Sequence, residues 1–522
     1  MLLTERFYHQ RGEGIMAQGQ LPFQYEQERR ESGMTALGGL PVYLDLAQVV
    51  GLGGAIERHL HVREGSQGWS DKQVVMSLIL LNIAGGECVD DLRIVEGDEG
   101  FCRVMRGVEL HGLKRRERRE LERRWRKERG RAVPAPSSAF RYLRAFHDQG
   151  QEELRVKGKA FIPAMNEQLR GFGGVNKELV GFVQRHNPQE TATLDTDATL
   201  VETQKREALW CYKRFKSYQP LNVWWAEQGM VLHTEFRDGN VPAGYEQLRV
   251  FQDALEVLPE GVNRVRMRSD TAGYQHELLR WCEEGKSERF GRIEFAVGCD
   301  VTGEFKAAVA EVPEGEWKPL YVEREGQREK TDREWAEVCF VPNGIGHSKN
   351  GPVYRYLATR EAMKQLELPG MEVQRSLPFP TMEWKGHRHK VFGIVSNMDW
   401  EGEELIPWLY KRCGKSEEAH SVMKEDLAGG RLPSGKFGEN AAWWWMMVLA
   451  LNLNAAMKGL VLGGSWVTKR MKAIRYHLIN IPGRVLERSR RLIIRLGKGH
   501  PCFGLLLDAR ERINELALEP SG

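Results

Sequence analysis

Thr193-Leu194-Asp195-Thr196-Asp197-Ala198-Thr199 is a strand-like run that ends on carboxylates. A second such run, Val265-Arg266-Met267-Arg268-Ser269-Asp270, does the same about seventy residues later. Between them, Leu221-Asn222-Val223-Trp224-Trp225 and Met230-Val231-Leu232-His233-Thr234-Glu235-Phe236 read as two strands joined by a turn at Glu227-Gln228-Gly229. Helical stretches from Tyr245 to Leu258 and from Tyr274 to Cys282, and a strand at Ile293 to Gly298, complete the pattern. Strands that meet early and then alternate with helices predict a mixed α/β sheet. Side chains alternate along a strand, so Asp195 and Asp197 share one face, and crowded carboxylates there need a cation or donors.

A third acidic residue, Glu417, lies in Tyr410-Lys411-Arg412-Cys413-Gly414-Lys415-Ser416-Glu417-Glu418, with Lys424 seven residues beyond. Carboxylates at two strand ends, joined by one from a distant helix, suit a pair of hard cations flanking a phosphodiester. Ser416 is placed as the cap of that helix, putting Glu417 in its first turn. Each acidic residue taken alone would more often cap a turn.

Upstream, Ser70-Asp71-Lys72-Gln73 has the form of a capping box before an apolar run that stops at Gly85-Gly86. Pro136-Ser137-Ser138 opens a helix whose Arg141 and Arg144 share a face while Tyr142, Leu143 and Phe146 pack inward, as a DNA-contacting helix requires. The Arg-rich stretch 114–129 reads equally as a phosphate-facing arm or a solvated helix of ion pairs. From 300 to 400 alternating segments replace long helical patterns, so a β-rich insertion is predicted.

The 522 residues carry a formal net charge of only +4, so any nucleic-acid surface must come from local clustering. Eight scattered cysteines form no CxxC pair, which suits a reducing cytoplasm and no structural zinc. Met1-Leu2-Leu3 runs into charged and Gln-rich sequence, so no secretory signal is expected. The apolar stretch Ala441 to Met457 is interrupted by Asn452 and Asn454 and falls short of ~20 residues, so a buried core helix is expected rather than a membrane span.

Together, Leu194 to Thr199, Arg268-Ser269-Asp270-Thr271-Ala272-Gly273-Tyr274 and Tyr410 to Lys424 resemble the DDE transposases of bacterial insertion sequences. The branch resembled has a Tyr-x2-Arg-x3-Glu-x6-Lys signature: Tyr410, Glu417 and Lys424 fall in register, while the arginine slot holds Cys413, with Arg412 one residue early. Trp69-Ser70-Asp71, Ala84 to Leu92, Pro136 to Phe146, Phe236 to Asn240 and Arg484 to Leu496 extend the likeness over most of the chain.

The resemblance implies an α/β fold: an RNase H-like mixed sheet core with a β-rich insertion, a helical N-terminal region and a helical C-terminal region. Its divisions would be a flexible arm (1–34), a helical DNA-binding region (35–185), the first part of the core (186–300), the insertion (301–400), the second part of the core (401–460) and a basic helical end (461–522). Asp197, Asp270 and Glu417 would be catalytic and hold two Mg2+ ions, with Mn2+ as a substitute. Tyr410, Arg412, Lys424, Arg141 and Arg144 would contact double-stranded DNA, both transposon ends and target, in a homodimeric synaptic complex away from any membrane. Trp317 and Trp335 of the insertion could hold an unstacked base, though a core position is the commoner use. The competing readings are a nuclease without strand joining and a retired transposase that only binds DNA.

Overall fold

The computed structural model describes residues 32–63, 68–124, 131–156, 158–324, 326–342, 354–363, 379–489 and 491–518. Most of the arm and the end of the Arg-rich stretch lie outside these residues. The chain enters through β1 (Met34–Thr35) and a helical region: α1 (Pro41–Val50), α2 (Leu52–His59), α3 (Asp71–Ala84), α4 (Leu92–Gly97), α5 (Glu99–Leu110), α6 (Arg115–Arg124), α7 (Pro136–Leu143), α8 (Gln149–Glu153) and α9 (Glu167–His186).

Helix α3 begins as its sequence dictates: the Ser70 hydroxyl accepts from the Gln73 amide and the Gln73 side chain accepts from the Ser70 amide, satisfying two orphan donors. Gly85 then ends it in a left-handed conformation (φ 104°) that a side chain would resist. Ser70→Ala is expected to cost about 1 kcal/mol, read by chemical denaturation.

The core follows as β2 (Thr191–Ala198), the short β3 (Val201–Glu202), β4 (Leu209–Trp210) and β5 (Lys216–Tyr218), then β6 (Leu221–Trp225), β7 (Met230–Glu235), α10 (Gln247–Leu255), β8 (Arg264–Ser269), α11 (His276–Glu283), β9 (Glu294–Cys299) and α12 (Gly303–Ala310). Next come β10 (Lys318–Arg324), β11 (Gln327–Val338), β12 (Arg355–Ala362), β13 (Thr381–Trp384), β14 (His387–Ser396), α13 (Gly402–Ser421) and α14 (Phe437–Ala456). The chain closes with α15 (Met471–Ile474), β15 (Gly483–Arg488), β16 (Arg491–Leu496) and α16 (Phe503–Leu518).

One ten-stranded sheet organises the molecule, in the order β10-β11-β12-β14-β9-β8-β2-β6-β7, with β13 paired to β14. β2, β6 and β7 form an antiparallel meander, and β8 and β9 lie parallel to β2 on its other side. Helices α10 and α11 supply the crossovers. This is the RNase H-like mixed core.

The β-rich insertion does not stand apart from it: β14 pairs antiparallel with β9 from Gly393–Cys299 to Ser396–Ala296, so the same sheet continues into the insertion. Its far edge, β10, carries Lys318 and Pro319 and a register shift between Pro319 and Tyr321. Trp317 and Trp335 are both buried, the packing role weighed above. Helix α12, capped by Thr302, interrupts this β-rich region and was not expected from the sequence.

Helix α14 and the π-helical turn after it form a 26-residue run, Phe437–Leu462, long and apolar enough to cross a membrane, yet 72% of its most apolar window is buried in the protein. Asn452 accounts for that placement. Its Oδ1 accepts from Val231 N (2.9 Å), and its Nδ2 donates to Val231 O and to Asn176 Oδ1 (2.7 Å each). The helix is thereby hydrogen-bonded to edge strand β7 and to α9, as a core helix would be.

The Arg-rich C-terminal end departs from the expectation of helix. Arg484 to Arg495 form the hairpin β15–β16, and β1 adds to it as a third strand. The physical reason is the pattern: Val485 is buried between exposed Arg484 and the rest of its strand, while Leu492 is followed by the β-branched Ile493 and Ile494. Only α16 beyond it is helical at length.

Candidate active site

Strands β2 and β8 run parallel and in register, Asp195 opposite Arg268 and Thr196 opposite Ser269. The next residue on each is an aspartate, so Asp197 and Asp270 emerge side by side at the carboxyl ends of neighbouring strands, where open α/β sheets bind ligands. Asp270 Oδ1 accepts from Ala272 N (3.0 Å), capping the turn that follows. Its other oxygen is turned toward Arg412.

Helix α13 lies across this edge of the sheet because Leu405, Ile406 and Leu409 pack on Ala296, Leu357 and Ile394. It starts at Gly402, not after Ser416, so the expected cap is corrected: Ser416 and Glu417 are in the helix interior. The helix directs Arg412 inward. Arg412 Nη1 lies 3.0 Å from Asp197 Oδ2 and Nη2 lies 3.9 Å from Asp270 Oδ2. The guanidinium thus sits between the two carboxylates, buried, rather than on a DNA-facing surface.

His420, two turns on, also comes to the pair, its Nδ1 4.0 Å from Asp197 Oδ2. Burial, then the nearby charges of Lys424 and Arg412, push its pKa down to about 4, so it is neutral. Sequence reasoning missed His420; its only signal was its place on the Arg412 side of the helix, eight residues along.

Burial pushes the Asp197 carboxyl up to about 6; Arg412 opposes this and the Asp270 charge adds to it. An unfolded aspartate titrates near ~3.9, so the folded protein holds this proton more tightly, and stability falls as pH rises from about 4 to about 6. Asp197→Asn should therefore stabilise the metal-free protein by about 1–2 kcal/mol at pH 8 and by nothing at pH 4. Denaturant titrations at both pH values measure this.

Asp195, the ambiguous neighbour, is fully engaged elsewhere. Arg268 Nε and Nη2 donate to its two oxygens at 2.6 and 2.8 Å, while Arg268 stacks on Trp408, 4.9 Å from the ring centre. A bidentate pair buried in this way is structural.

Glu417 is exposed on α13, as is Glu418. Among the described residues no group of three His, Cys, Asp or Glu side chains is placed to hold one metal ion. The structure therefore joins Asp197 and Asp270 and leaves Glu417 outside the pair. Tyr410 is partly buried, its hydroxyl 3.2 Å from that of Thr359, with Arg333 over its ring.

Lys424 follows α13 in a π-helical turn, Val422–Asp426, so the simple seven-residue drift from Glu417 does not apply. Its Nζ donates to Leu200 O (3.4 Å), just beyond the end of β2, and burial lowers its pKa. Arg141 and Arg144 are exposed while Tyr142, Leu143 and Phe146 are buried, the division read from the sequence.

No curated protein matches the sequence. Among solved structures, a cryo-EM structure of the piggyBac transposase synaptic complex with hairpin DNA is similar at 10% identity and a TM-score of 0.39, covering 80% of this chain and 72% of that one. The family model described as transposase DDE domain group 1 matches residues 28–518. The chain belongs to the DDE transposase family.

Proposed function

We propose that the protein binds the inverted-repeat ends of its own mobile element, cleaves them with two divalent metal ions and joins the freed 3′ ends to target DNA. The observation that carries this reading is the pair Asp197 and Asp270, held at adjacent strand ends and facing one shared positive charge. Hard oxygen donors around a single cation are the set that Mg2+, or Mn2+ in its place, takes up. In this structure the Arg412 guanidinium takes that cation's place. Glu417 joins the set on the strength of the signature spacing alone.

Bound divalent ions would activate a water or a 3′-hydroxyl and steady the leaving oxygen in an in-line displacement. The chain's own groups do the rest. Lys424, tethered to Leu200 beside the first acidic strand, offers its ammonium to the phosphate next to the scissile bond. Arg141 and Arg144 contact the duplex backbone, and two copies of the chain pair the element ends.

A donor plasmid carrying the DNA that bounds the coding region tests the proposal. Nicks and insertion products should both form with Mg2+ and disappear with a chelator. Nicks without insertions would reduce the activity to that of a nuclease. Binding should weaken steeply with salt if several phosphates are neutralised.

A further inference from the structure

Between β2 and its antiparallel partner β6 the chain makes an excursion, residues 199–220, where a short turn would suffice to connect them. It folds into the small sheet β3-β5-β4. Its base is anchored: Ser217 and Tyr218 are buried, and Tyr218 packs against Phe236 and Phe437. Its tip is presented to solvent. Cys211 N donates to Phe215 O and Arg214 N to Cys211 O, both at 2.9 Å, closing a turn that holds Arg214 at φ 65°. A glycine or asparagine would relieve that backbone cost, so an arginine there points to a use for its side chain.

Trp210 and Tyr212 on this tip are 62% and 74% exposed, among the most exposed large hydrophobic side chains described. Lys213 Nζ lies 5.7 Å from the Tyr212 ring centre. From 203 to 216 the cations are Lys205, Arg206, Lys213, Arg214 and Lys216, against Glu207 alone. The excursion also walls a cleft of about 710 Å³ through Leu200, Glu202, Lys213 and Phe215, whose other charged lining mixes Lys424, Arg431, Lys472 and Arg475 with Glu87, Glu425 and Asp426. One excursion, entered directly from the Asp197 strand, therefore carries exposed aromatic faces on a basic hairpin and one wall of a cleft that reaches Lys424.

Resting on the transposase reading, we propose that this hairpin is a clamp for unpaired DNA: Trp210 and Tyr212 stack on bases opened beside the cleaved bond, while Lys213 and Arg214 hold the adjoining phosphates. A closed duplex shows only phosphates and groove edges, whereas an unpaired strand offers base faces, which aromatic rings bind regardless of sequence. The positive surround selects a polyanion over an apolar protein partner.

The test uses the full chain with two probes, oligothymidine and a fully paired duplex of unrelated sequence. The double variant Trp210→Ala/Tyr212→Ala should bind oligothymidine about tenfold or more weakly and the duplex within about twofold of wild type. Lys213→Ala/Arg214→Ala should weaken both probes and lower the salt slope by about one to two. The clamp is overturned if wild type fails to bind oligothymidine, if the aromatic variant binds it unchanged or loses both probes equally, or if that variant only alters the oligomeric state. Asp197-dependent nicking of the donor plasmid, measured in parallel, keeps the two readings separate. Its absence in wild type sinks the transposase reading, whereas intact nicking with unchanged oligothymidine binding sinks the clamp alone.

Discussion

Asp197→Ala is expected to reduce plasmid nicking by about three orders of magnitude or more while DNA binding stays within about twofold. The separation follows from where the side chain is. It projects from the end of β2 toward Arg412, with 16% of its side-chain surface exposed, and its Oδ2 is the shared focus of Arg412 and His420. Truncation removes the proposed central metal ligand without opening a core cavity, and it leaves the exposed basic residues in place. Gel shifts and nicking assays on the same preparation decide the matter. Residual nicking near wild-type levels would remove Asp197 from the chemistry.

Asn452→Leu is expected to cost about 3–5 kcal/mol of stability, measured by denaturant unfolding. The substitution is close to isosteric, so lost packing is small. It strips Val231 N–H of its acceptor and Asn176 of one partner, at positions where all three residues are fully buried. Asn176 still donates to Val231 O and Leu232 O, at 2.9 and 2.8 Å, so the carbonyls remain satisfied. A helix lying in lipid would tolerate or welcome the same leucine. The sign of the effect therefore tests the core assignment of α14 directly.

Much of the site was legible because it depends on a short-range rule. Strand ends are marked by local pattern, and parallel register brings two such ends together, so Asp197 and Asp270 could be paired before any coordinates. The helix was harder. Ser416 looks like a cap, and only the packing of Leu405, Ile406 and Leu409 on the sheet shows that the helix is already nearly four turns old there. Placing Arg412 one residue ahead of the signature slot turns it about 100° around the helix. At its own position it meets both carboxylates, a consequence that spacing alone does not reveal.

The Arg-rich end shows a different limit. The resemblance implied a basic helical end, yet Arg484 to Leu496 pair as strands and take β1 as a third. Their own pattern favours strands, but the pairing with Met34 and Thr35 leaves no local mark. The excursion between β2 and β6 was likewise passed over, since two-residue strands have too little periodicity to read.

The ten-stranded sheet is open, yet neither border invites another chain to extend it. At β7 the outward amide and carbonyl of Val231 are taken by asparagines of overlying helices. At β10 a lysine, a proline and a bulge spoil the template. In the proposed assembly of two copies on DNA, contact is therefore expected through helices and loops, and fibrous self-association through the sheet, the largest repetitive surface, is disfavoured.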